Sequence, residues 1–232
     1  MTERRKRGRL PVEETYRDLR PRTLFSKRYR HLLLLLWWIA YGCVFAALEC
    51  FRTEGYTAVY SPLDDLIPFC EYFAIPYFFW FVYLVGMYAY SLFYDIEIFR
   101  KYTYYIMITY TAAIVIYLIY PTMQELRPTE FPRDNVFTDV MRAFYEFDTN
   151  TNVCPSIHVI GAVAVSCAAW NSKLFSTWQW RIVFSAVTVL IIASTVFLKQ
   201  HSVVDIPPAL LICLLAYPVV FGRRKKRAPP LR

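Results

Sequence analysis

Residues able to do chemistry gather in two short stretches. The first is Lys199-Gln200-His201-Ser202-Val203-Val204-Asp205, which sets a cation, an imidazole and a carboxylate between two long apolar runs. Charged and titratable groups that close to lipid are expensive and are usually placed for a task. The second is Cys154-Pro155-Ser156-Ile157-His158, where another imidazole opens a further apolar run. Two imidazoles and a carboxylate can support covalent catalysis, one ring attacking while the other delivers a proton. A nucleophilic ring needs one nitrogen free and the other held by an acceptor. Asp205, four residues beyond His201, supplies that acceptor if the segment turns helically. Pro207 and Pro208 fit a first helical turn, which instead makes Asp205 a cap-like residue, and either geometry leaves its carboxylate near His201. The same three side chains can also form a His₂Asp metal site.

The surroundings add a place for an anion. Pro155 suits the first turn of a helix, so the free N–H groups of that turn and the Ser156 hydroxyl are expected to face outwards and to suit phosphate. Arg127 and Arg133, in the polar segment upstream, can add charge-assisted bonds, and Lys199 stands beside His201. Each of these residues has a plainer reading when taken alone. Ser156 is a helix cap, the arginines are salt-bridge or headgroup partners, Lys199 snorkels to the surface, and a lone histidine at a span end is interfacial. The combination is what points to phosphate chemistry.

The elements that must carry these residues are transmembrane helices. The chain is 57% hydrophobic, with a mean hydropathy of +0.31, which is too apolar for an ordinary soluble domain of its length. Runs long enough for a span, roughly 20 residues, fall at about 32–50, 67–94, 104–120, 155–170, 180–198 and 203–221. Six spans place both termini on one side. Of the 26 Lys and Arg residues, 21 fall in the two tails and in the connections 95–101 and 173–181. The positive-inside rule then puts both tails in the cytoplasm, most simply at the plasma membrane. His158, His201, Asp205 and the long polar segment 121–153 share the outer face, and His31 lies at the inner one. The expected architecture is all-α: a six-span transmembrane bundle with a polar outer segment between spans three and four. Its divisions are a basic tail over 1–30, a membrane catalytic domain over 31–221 and a second basic tail over 222–232.

Other classes are disfavoured. The formal charge of +8 sits in tails and connections instead of on a folded face, so it reads as topology and attraction to anionic lipid, with no nucleic-acid partner. The Arg-rich start offers no cleavable signal peptide. The six cysteines have no CxxC or zinc spacing, and a bridge among Cys50, Cys70 and Cys154 near the outer face stays open. Six scattered glycines give no dinucleotide loop. Trp37, Trp38, Trp80, Trp178 and Trp180 read as interfacial or lipid-facing residues.

At the chemical residues the chain resembles the type-2 phosphatidic-acid phosphatase superfamily. That pattern has a Lys with Arg-Pro seven positions on, then Pro-Ser-Gly-His, then Ser-Arg with five residues to His and three more to Asp. Here the second part reads Pro155-Ser156-Ile157-His158, and the third reads Ser194-Thr195 with His201 and Asp205 at the same spacing. The first survives as Arg127-Pro128, with Tyr120 in place of the lysine. The resemblance implies that His201 attacks phosphorus, Asp205 orients it and His158 protonates the leaving oxygen. The resulting phosphohistidine passes to water or to an alcohol, with neither metal nor cofactor. Tyr120 and Thr195 replace two phosphate-binding cations and Ile157 replaces a glycine, so Lys199, Arg133 or Arg142 are the candidates to compensate. The weakened cation motifs look most like the inositol-phosphorylceramide synthase and sphingomyelin synthase branch, which implies a phospholipid or a polyprenyl- or sphingolipid-type phosphate as substrate. The expected function is a lipid-phosphate phosphatase or phospho-headgroup transferase. The alternative is a non-catalytic protein of the same fold that binds or moves lipid.

Overall fold

The computed structural model describes residues 16–222, so the outermost basic residues of both tails lie outside the described residues. The chain is mostly helical. A 3-10 turn at Arg30–Leu35 runs into α1, Leu36–Phe51. A short α2, Pro62–Leu66, precedes α3, Ala74–Tyr94, which a 3-10 turn at Glu71–Phe73 introduces. Then come α4, Ile96–Ile119, α5, Val136–Phe147, α6, Ile157–Asn171, α7, Trp178–Phe197, and α8, Ile206–Val220, the last entered through a 3-10 turn at Val203–Asp205. Five helical segments are long and apolar enough to cross a membrane, which makes this a multi-pass membrane protein.

α6, which unlike the equally long α8 has no 3-10 turn to extend it, is the centre of the bundle. Its 15 residues rise about 22 Å at 1.5 Å each, short of a hydrocarbon core of about 30 Å. It packs against α3, α4, α7 and α8. Gly161, Ala162, Ala164, Ser166, Ala168 and Ala169 let those neighbours approach closely, as small residues do between membrane helices. A Cβ on Gly161 would stand 2.7 Å from the Tyr110 hydroxyl and 2.8 Å from Trp80 Nε1.

Two boundaries differ from the hydropathy reading. The second long helix begins at Glu71, and upstream of it Ser61-Pro62-Leu63-Asp64 forms a capping box that starts the separate helix α2. The next helix begins at Ile96, so Arg100 and Lys101 are helical and Asp95 alone joins α3 to α4. Asp95 accepts the Ile98 N–H at 3.3 Å, and Glu97 pairs with Lys101 at 2.7 Å one turn on. A capped, salt-bridged first turn extends a helix past its apolar window.

The polar segment 121–153 is structured. β2, Thr122–Met123, pairs in parallel with β1, Thr57–Ala58, a two-residue ladder that departs from a purely helical expectation. In α5, Phe137, Met141, Phe144 and Tyr145 recur at helical spacing and pack with Tyr77, Phe78 and Leu198. At the opposite end of the bundle, Tyr16 donates to the Leu92 carbonyl at 2.8 Å, Asp95 accepts the Lys173 N–H at 2.9 Å and Asn171 meets Tyr217 at 3.3 Å. Tyr16 and the buried Tyr29 therefore tie the segment between them to the helical body, while most of the residues in between are exposed.

Candidate active site

The two histidines, 43 residues apart in sequence, meet. His201 Nε2 and His158 Nδ1 are 3.4 Å apart, and His201 Nδ1 lies 2.9 Å from Asp205 Oδ2. An ionised carboxylate only accepts, so the proton sits on His201 Nδ1 and Nε2 keeps its lone pair. The His158 nitrogen facing that lone pair is then a donor.

Each partner is held by local sequence. α7 ends in a reversal at Lys199, which has a φ of 51°. The Gln200 and His201 N–H groups both return to the Thr195 carbonyl, at 2.9 and 3.1 Å. A lysine in left-handed backbone is uncommon, and here it swings His201 inwards over the start of α8. Ser202 and Asp205 form a capping box, with the Ser202 N–H donating to Asp205 Oδ2 at 3.1 Å. Asp64 fastens the turn from outside, accepting from Ser202 Oγ at 2.6 Å and from the Val203 N–H at 2.9 Å. On the other side, the Ser156 N–H donates to the Asp205 carbonyl at 3.2 Å, which ties the start of α6 to the His201 turn. Tyr117 adds a bond to the Pro155 carbonyl at 2.5 Å.

His158 is held by rings. Tyr77 stacks on it at 4.7 Å between centroids and Trp80 lies 4.5 Å away at a 44° tilt. The interfacial reading of Trp80 is thus corrected: it is buried and turned to the site, because α3 sits against the central helix. Neither Tyr77 nor Trp80 carries a sequence signal that marks it for this place.

The remaining sequence-predicted residues are distributed otherwise. Ser156 is fully buried and its hydroxyl oxygen accepts the Val159 N–H at 3.4 Å as the cap of α6, so it faces the protein and not an outer anion. Lys199 points away from His201, donating from Nζ to the carbonyls of Asp64 at 2.6 Å and Ile67 at 2.5 Å. Burial lowers its pKa, opposed by Asp64 and Asp65. Arg133 forms a two-pronged pair with Glu71 at 2.6 and 2.8 Å, and Arg142 pairs with Asp139 at 2.8 Å. Neither reaches the histidines. Arg127 does come close, packed over the Tyr145 ring. It donates to the carbonyls of Tyr145, Asp148 and Thr149 at 2.7–3.1 Å, to Asp148 Oδ2 at 3.2 Å and to Gln200 Oε1 at 2.8 Å.

Both imidazoles line a cavity of about 50 Å³, with Tyr77, Asp148, Asn152 and Gln200 also in its wall. Next to it a wider opening of about 470 Å³, bordered by Glu49, Arg52, Arg127 and Glu146, shares Asp148, Thr149 and Thr151 with the small one. Glu49, near the end of α1, accepts from Thr149, Thr151 and Asn152 and so fixes this rim. Burial raises the Asp148 pKa, against the opposing pull of Arg127. Cys154, beside Asp205, is pushed up to about 12 by burial and by that carboxylate. Cys50, Cys70 and Cys154 are all free thiols. Among the described residues no three His, Cys, Asp or Glu side chains converge as a metal cradle. Comparison with family models, with curated proteins and with solved structures returns no match.

Proposed function

We propose that this chain is a six-span membrane enzyme that cleaves or transfers the phosphoryl group of a lipid phosphate ester through a phosphohistidine, after the pattern of the type-2 phosphatidic-acid phosphatases. One observation carries the reading: His201 has one ring nitrogen on Asp205 and the other on a second histidine. In this scheme His201 Nε2 forms the bond to phosphorus while the bond to the leaving oxygen breaks, and His158 gives that oxygen its proton. Asp205 offsets the positive charge on the phosphorylated ring. Water or a second alcohol then attacks phosphorus, loses its proton to His158 and frees His201. At 3.4 Å the imidazoles are in contact, so a phosphoryl group in line with Nε2 parts them on binding.

The short helix α6 serves as the sixth span, shielded from lipid by its neighbours. The bias of Lys and Arg towards the other end of the bundle supports a site at the outer membrane face with both termini cytoplasmic. The substrate is a phospholipid or a polyprenyl- or sphingolipid-type phosphate.

The test is trapping by an alkaline denaturing quench. Purified protein in detergent with chelator is mixed with labelled phosphatidate, a polyprenyl phosphate or a glycerophospholipid, with and without ceramide as acceptor. An acid-labile, base-stable phosphoryl adduct is expected in the wild type and absent from His201→Ala. Full activity of His201→Ala removes the mechanism. A second reading, a non-catalytic lipid-binding protein, is favoured by the engagement of Arg127, Lys199 and Arg133 with protein partners. It predicts lipid binding with no adduct on any substrate.

A further inference from the structure

Gln200 directly precedes His201 and is 3% exposed. Its side-chain oxygen accepts the Arg127 Nη2–H at 2.8 Å. A guanidinium has donors only, so the end of the amide that faces it is the oxygen, and the other end is the NH₂ group. That nitrogen is buried and has no partner among the described residues. Gln200 also lines the small cavity together with both imidazoles. Buried donors are nearly always paired, and an unpaired one beside reactive groups calls for a ligand. Nor is the amide free to turn over, because Arg127 is itself fixed by the Tyr145, Asp148 and Thr149 carbonyls.

We propose that the Gln200 carboxamide nitrogen is the donor that holds a phosphoryl oxygen at this site, with Arg127 as the positioning residue that aims it. The inference rests on the phosphoryl-transfer reading above and names the group that takes the place of the missing cations. Thr195, standing where the resembled pattern has arginine, spends its hydroxyl on the Ile192 carbonyl at 2.8 Å, and Tyr120 is exposed. A fixed amide donor stabilises charge that grows on a phosphoryl oxygen in the transition state. Being neutral, it does not offset a second negative charge, and the Asp148 and Glu49 carboxylates at the cavity and its rim repel one. The ligand that fits is a phosphodiester with a single negative charge, in preference to a doubly charged monoester.

Full-length protein in detergent is assayed with p-nitrophenyl methyl phosphate as the diester and p-nitrophenyl phosphate as the monoester. Gln200→Glu keeps the side-chain shape and an acceptor for Arg127 but replaces both donors with a charge. It is expected to lose about 100-fold or more in kcat on the diester, the scale of a lost oxyanion donor. Gln200→Met is expected to lose a similar amount, and Gln200→Lys shifts the diester-to-monoester ratio towards the monoester. Arg127→Lys lowers wild-type turnover but adds no further loss in the Gln200→Met background, whereas a merely structural arginine costs the same in both. A Gln200→Glu protein within threefold of wild type overturns the role of the amide and leaves the phosphohistidine reading standing. A wild type that turns over neither probe, forms no phosphohistidine and is not stabilised against heat by orthovanadate overturns that reading and this proposal together.

Discussion

Asp205 receives two donors on one oxygen: Oδ2 lies 2.9 Å from His201 Nδ1 and 3.1 Å from the Ser202 nitrogen. The backbone bond holds the carboxylate in place, and the ring bond decides which nitrogen of His201 carries the proton. An amide in its place can turn its NH₂ group to the ring only by giving up the Ser202 bond on that same position, and doing so draws the proton to Nε2, the nitrogen needed for attack. Asp205→Asn is therefore expected to keep the fold and cut turnover by about 10⁴, as loss of the orienting carboxylate does in a catalytic triad. Single-turnover rates of phosphohistidine formation check it; a loss under tenfold removes the orienting role.

Lys199 is two positions before His201 in sequence and directed away from it in space, with Nζ on the Asp64 and Ile67 carbonyls. Its contribution is to anchor the reversal that aims His201. Lys199→Met is expected to lower stability by about 1.5–3 kcal/mol, the scale of a charge-assisted hydrogen bond, while leaving KM for a phosphate ester unchanged. Thermal unfolding in detergent and steady-state kinetics measure the two effects separately. A KM raised tenfold at unchanged stability would return Lys199 to the anion site.

The meeting of His158 with His201 and Asp205 was legible in the sequence because two independent constraints converge. Spacing puts each residue at the end of an apolar run, and an even number of helices brings those ends to one level. What spacing does not carry is direction. Lys199 was a reasonable anion ligand until its positive φ turned the side chain outwards. Gln200 stood in the same seven residues with no role, since the orientation of its amide depends on Arg127, 73 positions away. Trp80 and Tyr77 look like any lipid-facing aromatics until α3 is placed against α6. One helix start was misread for a related reason: hydropathy marks where lipid is tolerated, whereas capping by Asp95 marks where α4 starts.

Gly161 tests the placement of α6 at the centre of the bundle. A single methyl group there meets the Tyr110 hydroxyl at 2.7 Å and Trp80 Nε1 at 2.8 Å, and Trp80 also packs on His158. Gly161→Ala is expected to cost about 1–3 kcal/mol through overpacking and to reduce turnover by displacing Trp80. Gly86, inside α3, where an added Cβ meets nothing within 4 Å, is the control: Gly86→Ala leaves turnover unchanged and does not lower stability, since alanine is the better helix former. Equal unfolding temperatures for the two variants would contradict the close approach at Gly161.

Asp148 supplies a pH test of the cavity wall. Burial raises its carboxyl pKa above the ordinary value of 3.8, with the Arg127 guanidinium opposing. A folded-state pKa above the unfolded one means that the folded protein holds the proton more tightly. The stabilising contribution of this group is therefore complete below the unfolded pKa and is lost as the pH rises through the folded one. Asp148→Asn keeps an acceptor for Arg127 and removes the half-buried charge. The variant is expected to unfold at a higher temperature than wild type at pH 7, and the difference should shrink to nothing as the pH is lowered towards 4. Thermal unfolding in detergent across that range measures it. A variant less stable than wild type at pH 7 would mean that the ion pair with Arg127 at 3.2 Å outweighs desolvation, and that the wall of the site is built to hold Asp148 charged.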